Sequence, residues 1–145
     1  MYLDCHVHLR DFDEKDKETI SRGVKVARDS GVDAVFDMPN TKPPLISESV
    51  VKDRLQRAKE ADVTEVFYGV YMGVTPDREQ VKRAVDISRR FFPRVVGIKL
   101  YAGHSTNNTG VVKEEDQELI YETFMQEGYE GVLTVHCEKE SLMKK

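Results

Sequence analysis

Five short apolar, β-branched stretches recur along the chain roughly every 30 residues, the size of one strand–helix unit. They are Tyr2–Leu9, Ala34–Met38, Glu65–Gly73, Val95–Tyr101 and Val132–His136. Amphipathic segments lie between them. Ile20, Val24 and Ala27 step at helical spacing, and Gly31 follows as a stop. Val51, Leu55 and Ala58 form a second stripe. Val81, Ala84, Ile87 and Phe91 form a third, behind Thr75-Pro76, which reads as a cap and a first-turn proline. Leu119, Ile120 and Phe124 lie in a fourth, Glu115 to Gln126, and a last segment opens at Glu138. Strands that alternate with helices imply an α/β fold with parallel strands and right-handed crossovers. An open doubly wound sheet and a (β/α)8 barrel both satisfy that pattern. No Gly-x-Gly-x-x-Gly follows the first strand, so a dinucleotide site has no support. A full barrel needs about 250 residues. Five units in 145 residues therefore predict that residues 1–145 are an incomplete barrel, its N-terminal portion.

Composition narrows the partners. The net charge of -4 and the lack of a polybasic cluster argue against nucleic acid and anionic membranes. No apolar run approaches the ~20 residues of a membrane span. The first residues form a strand that carries charges, unlike a secretory signal, and a cytoplasmic location is expected. Cys5 and Cys137 read as reduced, buried thiols rather than a disulfide.

The first strand, Leu3-Asp4-Cys5-His6-Val7-His8-Leu9-Arg10, alternates strictly. Side chains two apart on a strand point the same way, so Asp4, His6, His8 and Arg10 share one face. Leu3, Cys5, Val7 and Leu9 share the other. Two imidazoles on one face can bind one metal ion. The plain alternative is an edge strand with a solvated polar face.

Three further stretches can carry chemistry. Lys99 sits inside the apolar run Val95 to Tyr101. A buried ammonium is costly unless it is paired or loses its charge. It can snorkel, pair with Asp4, or stay neutral and add carbon dioxide as a metal-bridging carbamate. His136 closes the fifth stretch, as a structural histidine or a ligand. The run Met38-Pro39-Asn40-Thr41-Lys42-Pro43-Pro44 is a stiff loop that holds Asn40 in place. His104 lies in the polar loop Ala102 to Gly110 and reads as a solvated side chain, with substrate contact as the sharper option.

In order, Asp4-x-His6-x-His8-Leu9-Arg10-Asp11, Met38-Pro39-Asn40-Thr41-x-Pro43-Pro44, Gly97-x-Lys99-Leu100-Tyr101 and His136-x-Glu138 closely resemble the dihydroorotase family of metal-dependent amidohydrolases. The His-Leu-Arg and Met-Pro-Asn-Thr pieces are the specific ones. The others are shared with hydantoinases and allantoinases. The resemblance implies a (β/α)8 barrel and a zinc-dependent cyclic amidohydrolase that interconverts N-carbamoyl-L-aspartate and dihydroorotate in pyrimidine biosynthesis. By position it implies His6 and His8 as ligands of a first zinc, carboxylated Lys99 as the catalytic bridge between two zincs, and His136 as a ligand of the second. It implies Arg10 and Asn40 as the grip on the substrate carboxylate. The family's second-metal histidine and proton-shuttling aspartate fall beyond Lys145. The 145 residues alone are thus expected to be inactive, with a homo-oligomer or a complementing C-terminal segment supplying the remainder. The alternatives are another cyclic amidase, or a non-catalytic partner subunit of the same fold.

Overall fold

A computed structural model describes residues 1–61 and 64–143. Among them, strands and helices alternate: β1 (Leu3–Val7), α1 (Ile20–Asp29), β2 (Ala34–Asp37), α2 (Glu48–Glu60), β3 (Phe67–Gly73), α3 (Arg78–Phe91), β4 (Val95–Ala102), β5 (Gly110–Val111), α4 (Glu114–Gln126) and β6 (Leu133–Cys137). The five predicted strands are present with slightly moved ends. β5 is a two-residue addition that the sequence does not announce. The segment after Glu138 forms only a short 3-10 turn, Glu140–Leu142, and Lys144 and Lys145 lie outside the described residues.

Strand order decides between the two architectures. The order is β1-β2-β3-β4, with β6 and the short β5 both against β4, and each pairing is parallel. A doubly wound sheet reverses its order at a switch point. Here each long strand sits beside its predecessor, so right-handed crossovers put the helices on one face. That is the arrangement of a barrel wall. No helix among the described residues is long and apolar enough to cross a membrane.

The core lies between the helices and the outer face of the sheet. Val35, Tyr68, Val70, Met72, Ile98 and Leu100 meet Ile20, Val24, Val51, Val81, Ala84 and Ile120, all buried. A buried aliphatic side chain of this kind stabilises by about 1.5–3 kcal/mol. Caps fix the helix starts. The Thr19 hydroxyl accepts from the Arg22 amide at 3.2 Å. Gly31, at φ +78°, takes the left-handed turn after α1, as predicted. The third helix departs from expectation. It starts at Arg78, capped by the Asp77 carboxylate on the Glu79 and Gln80 amides. Thr75 and Pro76 precede it, and the Gln80 side chain satisfies the Thr75 amide instead. A carboxylate two residues later outcompetes the hydroxyl, because it also meets the positive end of the helix.

Both cysteines are free and exposed, contrary to the expected buried thiols. Cys5 and Cys137 lie on β1 and β6, which have one strand neighbour each among the described residues. With nothing packed beyond them, alternation alone cannot bury a side chain. Tyr2 and Leu3 are exposed at the same margin.

At Gly97, β4 runs close against Val132, the residue before β6. A Cβ there would lie 2.5 Å from the Val132 carbonyl oxygen, which accepts the Ile98 amide. Gly97→Ala should force the strands apart and lower the unfolding free energy by about 1–3 kcal/mol. Urea titration checks this.

Candidate active site

Register places the chemistry-bearing residues on the face turned away from the helices. Lys99 aligns with Gly73 on β3 and Thr134 on β6, and Tyr101 aligns with His136. Lys99, Tyr101 and His136 therefore share a face. Val7 aligns with Asp37, so His6 and His8 fall on the same side as Phe36, whose ring meets Tyr71 edge-on. The strand ends after β1, β2, β4 and β6 then carry Arg10, Asn40, the 103–109 loop and Glu138.

The His6 and His8 ring centroids are 5.3 Å apart. Burial lowers the His6 pKa first, followed by the charge of Lys99; Asp4 opposes, and His136 adds to the lowering. Burial also lowers the His8 pKa, and the Arg10 charge acts the same way. Both imidazoles are thereby biased to the neutral form that a metal requires. His8 Nδ1 is 3.0 Å from Asn40 Oδ1. Asn40 Nδ2 donates to Thr106 Oγ1 at 2.8 Å, so Oδ1 is the acceptor and Nδ1 carries the proton. This leaves Nε2 with its lone pair. A ligating histidine is oriented this way by a partner on its second nitrogen.

Lys99 is only 3 % exposed. Its ammonium has no carboxylate partner among the described residues and lies 5.0 Å from the centre of the Tyr101 ring. Of the alternatives open to Lys99, the pairing with Asp4 is not made. Burial pushes the amine pKa below the ordinary lysine value. The Tyr101 hydroxyl is buried without a hydrogen-bond partner among the described residues. His136 Nε2 is 2.9 Å from Glu138 Oε1, and His136 is partly exposed, since β6 borders the sheet.

Arg10 Nη1 donates to the Asn40 carbonyl at 2.9 Å. Asn40 is buried, and both ends of its amide are engaged within the protein, on His8 and Thr106. The resemblance implied Asn40, together with Arg10, as the grip on the substrate carboxylate. In the structure it is the hub that ties the first strand to the loop after β4. The His104 side chain is exposed, as expected.

Behind the site lies a cluster that the sequence reading missed. Arg54 of α2 is completely buried. Its Nη2 pairs with Asp37 Oδ2, its Nε donates to the Tyr68 hydroxyl at 2.9 Å, and its Nη1 donates to the Arg10 carbonyl at 2.9 Å. The Tyr68 hydroxyl donates to Asp37 at 2.7 Å, and the Leu9 amide donates to Asp37 Oδ1 at 2.9 Å. Asp37 and Arg54 thus fix the backbone of Leu9 and Arg10 from the helix side. The one available signal was position: Arg54 lies three residues after Val51 and four before Ala58, inside the apolar stripe.

Among the described residues, no three His, Cys, Asp or Glu side chains are gathered closely enough to hold a metal ion. The donor chemistry that fits an ion is the His6 and His8 imidazole pair on the sheet face that also carries the buried Lys99 amine.

No family model matches the chain. A curated dihydroorotase from Thermococcus kodakarensis is 55% identical over 53 residues, 37% of this chain and 13% of that protein. The dihydroorotase from Archaeoglobus fulgidus is 34% identical over 141 residues, 94% of this chain and 32% of that protein. The chain is homologous to dihydroorotases. It spans about a third or less of the length of these relatives. The solved dihydroorotase from Campylobacter jejuni superposes with a TM-score of 0.66 at 28% identity, over 97% of this chain and 39% of that one. The L-hydantoinase from Arthrobacter aurescens gives a TM-score of 0.73 over 97% of this chain and 30% of its own. At 23% identity that likeness speaks for the fold alone. These neighbours share the barrel wall that the strand order of this dihydroorotase homologue forms.

Proposed function

We propose that the chain supplies the metal-binding and carboxylate-gripping strands of a zinc-dependent dihydroorotase, which reversibly cyclises N-carbamoyl-L-aspartate to dihydroorotate. The observation that supports this is the shared sheet face of His6, His8, Lys99 and His136, with Arg10 at its rim, in a chain homologous to dihydroorotases. His6, His8 and carboxylated Lys99 would hold one zinc; Lys99 and His136 would take part in a second. Bound zinc would lower the pKa of an attacking water and polarise the ring amide carbonyl. The chain's own residues prepare the site. Asn40 holds the His8 ring so that Nε2 faces inward. Burial favours the neutral Lys99 amine, whose lone pair adds to carbon dioxide and whose proton leaves to solvent. Arg10 turns the rest of its planar fork toward a substrate carboxylate. Arg10 also weighs against a hydantoinase reading, because a hydantoin need not bring a carboxylate.

The 145 residues alone are expected to show no turnover and weak or partial zinc occupancy, since no three His, Cys, Asp or Glu side chains gather into a metal site among the described residues. Metal analysis after dialysis checks the second point. In a polypeptide that joins this chain to the remaining barrel strands, Lys99→Ala should cut turnover at least ~100-fold. Arg10→Ala should raise KM for dihydroorotate. Unchanged dihydroorotate turnover in Arg10→Ala would remove the carboxylate grip from this scheme.

A further inference from the structure

Arg10 does not face a ligand alone. Its Nη1 lies 3.8 Å from Glu14 Oε2. Glu14 is only 6 % exposed and ends the 3-10 turn Phe12–Glu14. The chain reaches that turn through Asp11 and Phe12 at φ 45° and 49°, a left-handed conformation that non-glycine residues adopt at a cost. The carboxylate is held in place from three sides. Lys17 Nζ donates to Oε1 at 2.7 Å, and Asn107 Nδ2 donates to Oε2 at 3.2 Å. The same Asn107 nitrogen donates to the Asn40 carbonyl at 2.9 Å, which also receives Arg10. The Lys17 hydrogen bond is the main reason that the Glu14 carboxyl sits below its usual pKa, against the opposing effect of burial. Glu14 is therefore an anion at neutral pH. Among the described residues, Nη1 is the only Arg10 guanidinium nitrogen with a protein partner.

We propose that Glu14 is a built-in competitor at the carboxylate subsite, an acidic side chain that partly neutralises Arg10 and so sets how tightly a ligand carboxylate is held. The inference rests on the reading of Arg10 as the carboxylate grip. An incoming carboxylate must share one guanidinium with an anion already beside it. The two negative charges repel at short range, in a partly desolvated place where salt screens weakly. The arrangement lowers affinity and speeds release, and it disfavours ligands that bring a second negative charge to the same rim.

Glu14→Gln keeps the shape and removes the charge. Isothermal titration of the 145-residue chain with L-dihydroorotate at low salt should show binding about 3- to 10-fold tighter in this variant than in the wild type. Glu14→Met, neutral and of similar volume, should shift in the same direction, and circular dichroism establishes that each variant is folded. A gain in affinity is a readout that mere damage to the turn cannot produce. Affinity unchanged or weakened in the folded neutral variants overturns the proposal, and so does the absence of binding to either of them. If Arg10→Ala binds as tightly as the wild type, it is instead the carboxylate role of Arg10 that fails. Tighter binding in Glu14→Gln, lost when Arg10→Ala is added, supports both.

Discussion

Replacing Arg54 by methionine should lower the unfolding free energy by about 3–5 kcal/mol, the cost of stranding a buried charge without its partner. Asp37 is completely buried, and Arg54 is the cation that compensates it. Without Arg54, the Asp37 carboxylate keeps, among the described residues, the Tyr68 hydroxyl and the Leu9 amide. Asp37→Asn leaves an acceptor for the Leu9 amide and removes the stranded charge. The double variant Arg54→Met/Asp37→Asn should therefore lose less than the two single losses added together, with a coupling of roughly 1–3 kcal/mol. Urea titrations of the four proteins measure it. Strict additivity would mean that the pair is not a unit. The cluster also holds the Arg10 carbonyl, so the same variant should weaken the dihydroorotate binding assigned to Arg10.

The second expectation has the opposite sign. Lys99→Met should raise the unfolding free energy by about 1–3 kcal/mol, because it removes a buried polar group without a hydrogen-bonding partner and keeps the apolar stem. Measured with a chelator present, the gain should be largest near neutral pH. Burial lowers the lysine pKa in the folded chain below 10.5, so the unfolded chain binds more protons in the window between those values. Wild-type stability then rises with pH through that window, and the advantage of Lys99→Met closes as it does. A stabilised protein that has lost turnover, once joined to the remaining strands, is the signature of a residue kept for chemistry. If Lys99→Met melts below the wild type, Lys99 has a structural partner and the argument for a neutral amine fails.

Much of this was legible in the chain itself. The spacing of Val95 to Tyr101 and its neighbours gave the strands, because a strand buried on its outer face must place apolar residues at every second position. Strict alternation in Leu3 to Arg10 put His6 and His8 on one side. Lys99 stood out because its apolar surroundings left no ordinary reason for an ammonium. Arg54 was not legible. A helix stripe is recognised by what is apolar, and a buried arginine looks like a solvated one until its strand-borne partner Asp37 is brought beneath it. The exposed cysteines were misjudged for a related reason: alternation tells which way a side chain points, not whether anything lies there. Asn40 was expected to be held in place as a hydrogen-bonding group, but its partner Thr106, far along the chain, was not legible.

What the sequence determined alone is local: the period of each element, the face of each side chain, and the ordered set of residues that resembles dihydroorotases. Those properties depend on backbone geometry and on near neighbours. What only the tertiary structure decided is pairing across distance: the sequential strand order that makes a barrel wall, the union of Arg54 with Asp37, and the meeting of Glu14 with Arg10 under Asn107. Such contacts depend on which groups share a desolvated space once the sheet curls. A buried charge is tolerated only where a partner arrives, and one element of the chain does not encode the arrival of another.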